Sequence, residues 1–66
     1  MKIFCNDQDQ NVTMGLTVSQ LLEQLKLDPR QVAVEMNYEL IPRVRHAEQV
    51  LHEGDRLEIV TLVGGG

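Results

Sequence analysis

The chain has 66 residues, with ten acidic side chains against six basic ones and a formal net charge of −4. This length predicts one domain with one small core, and the acidic balance argues against nucleic acid as the main partner, because phosphate binding needs a basic face. The single cysteine, Cys5, excludes an intrachain disulfide and any zinc or iron–sulfur site built from several cysteines of one chain.

The first predicted element is a half-buried strand at the N-terminus. Met1, Ile3 and Cys5 alternate with outward-facing neighbours, which is the period of a strand with one buried face. Phe4 falls on the outward face, so we expect its ring to be partly exposed, and we expect Cys5 to be a small buried hydrophobe rather than a reactive thiol. No signal-peptide pattern begins the chain and no apolar run approaches membrane-spanning length, so we expect a cytoplasmic protein with no membrane partner.

A hairpin is predicted after this strand. The segment from Asn6 to Asp9 has the composition of a turn. Val12 and Met14 then alternate with polar neighbours, which predicts a second short strand that ends at Gly15.

The clearest helix signal in the chain is at Thr17. The Thr17 hydroxyl can cap a backbone N–H group while the Gln20 side chain reaches back to the cap, and Leu16 can pack on Leu21 as a hydrophobic staple. An apolar stripe at helical spacing follows, which consists of Val18, Leu21, Leu22 and Leu25. We expect the helix to end at Asp28-Pro29, because a residue before proline is pushed out of the helical region.

Two further strands are predicted after the helix. Val32, Val34 and Met36 have the alternation of a third strand. Residues 37–39 have the composition of a turn, and Leu40-Ile41 is predicted to be a short strand that Pro42 closes.

The segment from Arg43 to Val50 has a weak pattern, for which we predict a short helical turn. His46 and His52 match no metal-ligand or acid–base spacing, so we expect both to be solvated surface side chains. A tight turn at Glu53-Gly54-Asp55 then leads into the last strand.

The last predicted strand runs from Arg56 to Val63 and is followed directly by Gly64-Gly65-Gly66. Glycine costs the most backbone entropy to order, so three glycines at a chain end add little stability. They do provide a thin backbone that can be threaded through a channel too narrow for a β-carbon, and the six residues after Val60 reach about 20 Å when extended. The alternative interpretation is a linker or cloning remnant.

The order of these elements predicts an α+β fold, in which one helix packs on one face of a mixed sheet of four to five strands. On the last strand, Glu58 assigns Val60 and Leu62 to the solvent face. If the first and last strands are neighbours, Phe4 joins Val60 and Leu62 in an exposed apolar patch, which we interpret as a partner docking face. The acidic net charge suits a partner with a more basic surface.

Several segments together resemble a known family. They are Phe4 to Gln8, Met36-Asn37, Ile41-Pro42-Arg43, Gly54-Asp55 before an alternating strand, and the terminal Gly65-Gly66. In this combination and at this length, the chain resembles the bacterial sulfur carriers of thiamine biosynthesis, the ThiS family. The resemblance covers essentially the whole chain and implies the ubiquitin-like β-grasp fold, with residues 1–66 as one domain and residues 64–66 as a flexible glycine tail.

The resemblance also implies a chemistry for Gly66. An E1-like enzyme of the ThiF type would use ATP and magnesium to adenylate the Gly66 carboxylate, and a persulfide sulfur donor would convert it to a thiocarboxylate. A thiazole synthase of the ThiG type would then receive the sulfur. Gly65 and Gly66 are the family's diglycine, with Gly64 as added flexibility, and both Gly64 and Gly65 would thread the narrow site. The chain is then a cosubstrate with no catalytic residue, bound cofactor or metal of its own.

Three other functions remain open at this stage. The chain resembles the small subunit of molybdopterin synthase in fold and in its terminal diglycine. A ubiquitin-like modifier would instead attach Gly66 to a lysine of another protein. A purely structural interaction domain would not need a free C-terminus.

Overall fold

The computed structural model describes residues 1–62. Val63 and residues 64–66 lie outside this range, so the glycine tail stays a prediction. The last strand ends at Thr61, and the prediction that it continues through Leu62 was wrong. The elements, in chain order, are β1 (Lys2–Cys5), β2 (Gln8–Asn11), α1 (Val18–Gln24), a 3₁₀ turn (Pro29–Gln31), β3 (Val32–Met36), β4 (Glu39–Ile41), a second 3₁₀ turn (Arg43–Arg45) and β5 (Arg56–Thr61). No helix in residues 1–62 is both long and apolar enough to span a bilayer.

The five strands form one mixed sheet with the spatial order β2-β1-β5-β3-β4. β1 pairs with β5 in parallel, and the other three neighbouring pairs are antiparallel. The last strand in sequence is therefore the central strand in space, with one hairpin on each side. The predicted mixed sheet with one helix and the predicted contact between the first and last strands are both confirmed.

The core lies between α1 and one face of the sheet. Ile3, Leu57, Leu21 and Leu22 are each at most 1% exposed. The other buried members of the core are Val12, Leu16, Val18, Val32, Val34 and Leu51. Removing a side chain of this kind from water stabilises the fold by about 1.5–3 kcal/mol, so the face of the sheet that contacts α1 supplies most of the stability of this small chain.

The first hairpin turn is shorter than predicted. Asn6 and Asp7 alone form it, with left-handed φ values of 51° and 66°, which suit a two-residue hairpin. The second strand is Gln8–Asn11, so the prediction of a strand at Val12 and Met14 was wrong. β2 is an edge strand of polar residues, so its sequence has no apolar alternation that would predict a strand. Only its backbone pairing with β1 defines its register.

The start of α1 is the capping box that the sequence predicts. The Gln20 N–H donates to Thr17 Oγ1 at 3.2 Å, and the Thr17 N–H donates to Gln20 Oε1 at 2.9 Å. The next N–H groups are also bonded, because Val18 and Ser19 donate to backbone carbonyls of the segment that follows the second 3₁₀ turn. Local side chains and one distant loop thus fix the beginning of the helix.

The end of α1 was predicted incorrectly. The helix stops at Gln24, with Leu25 as its C-cap, and Lys26 has a left-handed φ of 60°. A residue with left-handed φ cannot continue a right-handed helix, so the helix ends before Lys26 and Pro29 is not the cause. Pro29 instead begins the first 3₁₀ turn, which Asp28 caps by accepting the Arg30 N–H at 2.9 Å.

His46 is buried, with 4% exposure, and the prediction of a solvated histidine at this position was wrong. Its backbone carbonyl accepts the Ser19 N–H at 3.0 Å, and its Nε2 lies 3.1 Å from the Ile41 carbonyl oxygen. The polar segment around His46 folds over the first turn of α1, and this long-range contact buries a residue whose neighbours in sequence look exposed. His52 is exposed, as predicted.

Candidate functional site

The chain reaches its C-terminal end through the central strand of the sheet. β5 lies between β1 and β3, and after it the Leu62 N–H donates to the Gln31 carbonyl at 2.7 Å. Thr61 pairs with Val32 at the beginning of β3. The fold therefore fixes the direction of the chain up to Leu62, four residues before Gly66.

The two sides of β5 are supported over different lengths. The β3 side is paired from Leu57 to Thr61. The parallel pairing with β1 covers Arg56 and Leu57, and the Asn6 side chain then bonds both backbone groups of Ile59, with Oδ1 2.8 Å from the Ile59 nitrogen and Nδ2 3.3 Å from its oxygen. The last described residues of β5 thus depend mainly on β3.

The face of β5 that points away from α1 changes character along its length. Arg56 begins it, Glu58 follows, and Val60 and Leu62 end it with exposures of 55% and 51%. The sequence prediction that Val60 and Leu62 are exposed on one face is confirmed by these values. Two large apolar side chains thus stand in solvent immediately before the residues predicted to carry the function.

Phe4 shares this outer face but lies apart from Val60 and Leu62. Its partner across β1 and β5 is Arg56, which is four residues, or about 13 Å of strand, before Val60. The Phe4 ring is half-buried, as predicted, between the Lys2 Nζ at 5.9 Å and the Arg56 guanidinium at 5.2 Å from its centroid. The expected single patch of Phe4, Val60 and Leu62 is therefore two separate apolar positions on one face.

The cations around Phe4 are themselves paired with carboxylates. Arg56 Nη1 lies 3.1 Å from Asp7 Oδ1, and Lys2 Nζ lies 3.6 Å from Asp9 Oδ2. Both ion pairs are exposed, so each contributes at most about 1 kcal/mol. These ion pairs and the cation–π contacts surround the Phe4 ring with charged side chains, at the end of β5 that is farthest from Leu62.

Two carboxylates separate the Phe4 end of this face from its apolar end. Glu35 on β3 and Glu58 on β5 are directly opposite each other. Like charges across an antiparallel pair are destabilising. Sequence reasoning used Glu58 only to mark the solvent face and missed its pairing with Glu35, because the register between β3 and β5 is a long-range property.

The described residues contain no arrangement typical of an enzyme site. Cys5 is 5% exposed, and burial, followed by the nearby Glu58 carboxylate, raises the pKa of its thiol. A thiol that stays protonated at neutral pH is a poor nucleophile, in agreement with the prediction that Cys5 is a core residue. Residues 1–62 also contain no group of three or more His, Cys, Asp or Glu side chains placed to hold a metal ion.

Comparison with known proteins agrees with this picture. The sequence profile of the ThiS family matches residues 1–66. The chain is 33% identical to the sulfur carrier protein ThiS of Escherichia coli, over 100% of both chains. This chain belongs to the ThiS family.

A solved member of the ThiS family has the same fold. The crystal structure of the thiamine biosynthesis protein ThiS from Geobacter metallireducens superposes with a TM-score of 0.86, at 30% identity and over 100% of both chains. The β-grasp fold implied by the sequence resemblance is thereby confirmed.

A second kind of relative is much longer. The chain is 42% identical over its whole length to the thiazole synthase of Paramagnetospirillum magneticum, but it spans only 20% of the length of that protein. The thiazole synthase of Magnetococcus marinus matches in the same way, at 39% identity and 20% of its length. A ThiS-like segment is therefore part of some thiazole synthase chains.

Proposed function

We propose that Gly66 is the residue that carries sulfur, as a C-terminal thiocarboxylate. The observation that carries this proposal is the family match, which includes the terminal glycines. The structure supports it because the central strand β5 leads the chain directly toward that end. Within residues 1–62, the one cysteine is buried and no group of three or more His, Cys, Asp or Glu side chains is placed to hold a metal ion.

The chemistry begins with an unreactive carboxylate. A C-terminal carboxyl group has a pKa of about 3.5, so at neutral pH it is an anion that resists nucleophiles. In the proposed first step, a carboxylate oxygen of Gly66 attacks the α-phosphorus of ATP, which forms an acyl-adenylate and releases pyrophosphate. An E1-like enzyme of the ThiF type, with magnesium on the ATP phosphates, supplies this step.

Sulfur enters in the next two steps. The terminal sulfur of a persulfide attacks the Gly66 carbonyl carbon and releases AMP, which leaves an acyl disulfide. A thiol then attacks the donor's own sulfur, the one that is not bonded to the Gly66 carbonyl carbon, so that the S–S bond breaks, a new disulfide forms between the thiol and the donor, and the thiocarboxylate leaves with the electron pair. The persulfide donor and the thiol are external to this chain, and the chain serves as the cosubstrate.

The proposed acceptor of this sulfur is a thiazole synthase of the ThiG type. The support is that two thiazole synthases contain a segment similar to this entire chain. Joining two modules in one chain raises the effective concentration of one for the other. We infer that this chain associates with a thiazole synthase to deliver the same group.

The proposed docking face for these partners is the outer face of the sheet beside Val60 and Leu62, with Phe4 as its distant member. Exposed apolar side chains close to a functional end favour a protein contact. The opposed carboxylates of Glu35 and Glu58 lie on the same face, and a partner that brings a basic side chain between them relieves their repulsion. The partner surface is therefore expected to be apolar and basic.

Adenylation tests the proposal directly. The carrier is mixed with a ThiF-type enzyme, magnesium and ATP, and the exchange of labelled pyrophosphate into ATP is measured. We expect exchange that depends on the carrier and disappears when one alanine is appended after Gly66 or when Gly66 is deleted. A carrier with alanine appended that folds normally and still supports exchange would contradict the assignment of Gly66.

A further inference from the structure

Each of the two hairpins places an asparagine beside β5, one at its beginning and one at its middle. Asn6 follows β1 and Asn37 follows β3, and each is the first residue of a two-residue turn, with left-handed φ values of 51° and 54°. β1 is parallel to β5, and β3 is antiparallel to it. Cys5 pairs with Leu57, so the turn after β1 lies beside the middle of β5, at Ile59, whereas the turn after β3 lies beside its beginning.

The Asn6 side chain replaces the backbone that β1 would have supplied. In a parallel ladder, alternate residues of a strand use both their N–H and C=O groups toward one neighbour. The Asn6 N–H still bonds the Leu57 carbonyl at 2.9 Å, but the chain then turns away at Asn6. At Ile59 the Asn6 side-chain amide makes the two hydrogen bonds that a continued β1 backbone would make. Its Oδ1 accepts the Ile59 N–H at 2.8 Å, and its Nδ2 donates to the Ile59 C=O at 3.3 Å.

We propose that Asn6 is a positioning residue for the sulfur-carrying terminus, because its amide fixes Ile59 as the point where two-sided support of β5 ends. After Ile59 the described contacts of the chain lie on the β3 side, in the pairing of Val60 with Ala33 and of Thr61 with Val32, and in the hydrogen bond from the Leu62 N–H to the Gln31 carbonyl. Seven residues follow Ile59 in the sequence, and they reach at most about 25 Å when extended. This inference rests on the proposed function of Gly66.

Ile59, where two-sided support of β5 ends, is the root of the tail, and its position matters because the C-terminus must enter the site of another protein. When Ile59 is held in place, the C-terminus samples fewer directions in the free carrier, and less conformational freedom is lost on binding. Removing the Asn6 amide frees the last part of β5 to separate from the sheet more often. The expected consequence is weaker productive binding to the activating enzyme, with little change in the chemical step.

Asn37, at the beginning of β5, is a matched control for Asn6. Its Oδ1 accepts the Arg56 N–H at 3.0 Å, and its Nδ2 donates to Asp55 Oδ1 at 3.1 Å. Asn37 thus has the same residue type, the same backbone conformation and the same number of side-chain hydrogen bonds as Asn6. It differs in lying at the beginning of β5, away from the tail.

The test compares Asn6→Gly with Asn37→Gly. Glycine adopts a left-handed φ without strain, so each variant loses its side-chain amide and keeps its turn. With a ThiF-type enzyme, ATP and magnesium, we expect Asn6→Gly to raise the KM for the carrier about three- to tenfold with kcat unchanged, and Asn37→Gly to change KM by less than about twofold. Hydrogen exchange should accelerate at the Ile59 amide in Asn6→Gly alone.

The outcomes separate this inference from the proposed function. Equal increases in KM for the two variants would show a general effect of stability, and unchanged KM for both would show that β3 alone fixes the tail root. Either result, with an active wild-type carrier, overturns the role of Asn6 and leaves Gly66 as the carrier residue. A wild-type carrier that is never adenylated overturns both.

Discussion

Both faces of β5 carry apolar side chains, but those on the inner face are buried and those on the outer face are exposed. Leu57 on the inner face is 0% exposed between β1 and β3, whereas Val60 on the outer face is 55% exposed opposite Ala33. Both are apolar side chains on the central strand. The difference shows that apolar character alone does not identify the core of a small domain, because the inner face buries its apolar side chains while the outer face leaves Val60 in solvent.

The largest expected effect is a loss of stability on the inner face. Leu57→Ala leaves a cavity in the buried cluster that also contains Ile3 and Leu21 and should cost about 2–5 kcal/mol. Val60→Ala on the outer face is the matched control and should change stability by less than about 0.5 kcal/mol. Urea unfolding measures both, and similar losses for the two variants would remove the distinction between the faces.

A large side chain in residues 64–66 should block adenylation without lowering the stability of the fold. Gly65→Trp is expected to lower adenylation on the order of 100-fold, because an indole cannot pass a channel shaped for glycine, while Gly65→Ala should have a smaller effect. Unfolding curves should match the wild type. Normal adenylation of the tryptophan variant would refute the threading hypothesis.

A charge on the outer face should weaken docking. Val60→Asp places a third carboxylate close to Glu35 and Glu58 and removes apolar area, so we expect its affinity for the activating enzyme to fall about tenfold. Met14→Asp makes the same chemical change at a position with 79% exposure outside the sheet. Calorimetric titration would locate the docking face elsewhere if the two variants bind equally well or if Met14→Asp is the weaker.

The smallest expected effect concerns the pH dependence of stability from the Cys5 thiol. Burial raises the pKa of Cys5 in the folded chain, so the protonated thiol is favoured by folding. This contribution is complete below the unfolded pKa of about 8.5 and is lost as the pH rises through the folded pKa. Wild-type stability should therefore fall relative to Cys5→Ala above this pH, and parallel stability curves for the two proteins would contradict the sign.

The sequence predicted best those features whose signals are local. The Thr17–Gln20 capping box needs only residues three apart, and the alternation in β3 and β5 follows directly from one buried face. The family resemblance added the β-grasp topology, which periodicity does not predict, and the proposed role of the terminal diglycine, which stays a prediction.

The features that were missed depend on long-range contacts. β2 has no apolar face, so only its pairing with β1 defines it. His46 is buried because its segment folds over the start of α1. The Asn6 amide appeared only as turn composition, although its bonds are to Ile59, 53 residues away. An asparagine at the end of a strand, in the first position of a two-residue turn, was the available signal.

The most direct test of the central claim is the intact mass of the protein purified from its own host, with thiamine withheld to raise demand. We expect a fraction that is heavier by the exchange of one oxygen for sulfur, with the change confined to the C-terminal peptide that contains Gly66. An unmodified mass under these conditions, and also after incubation with a ThiF-type enzyme, ATP, a persulfide donor and a thiol, would contradict it.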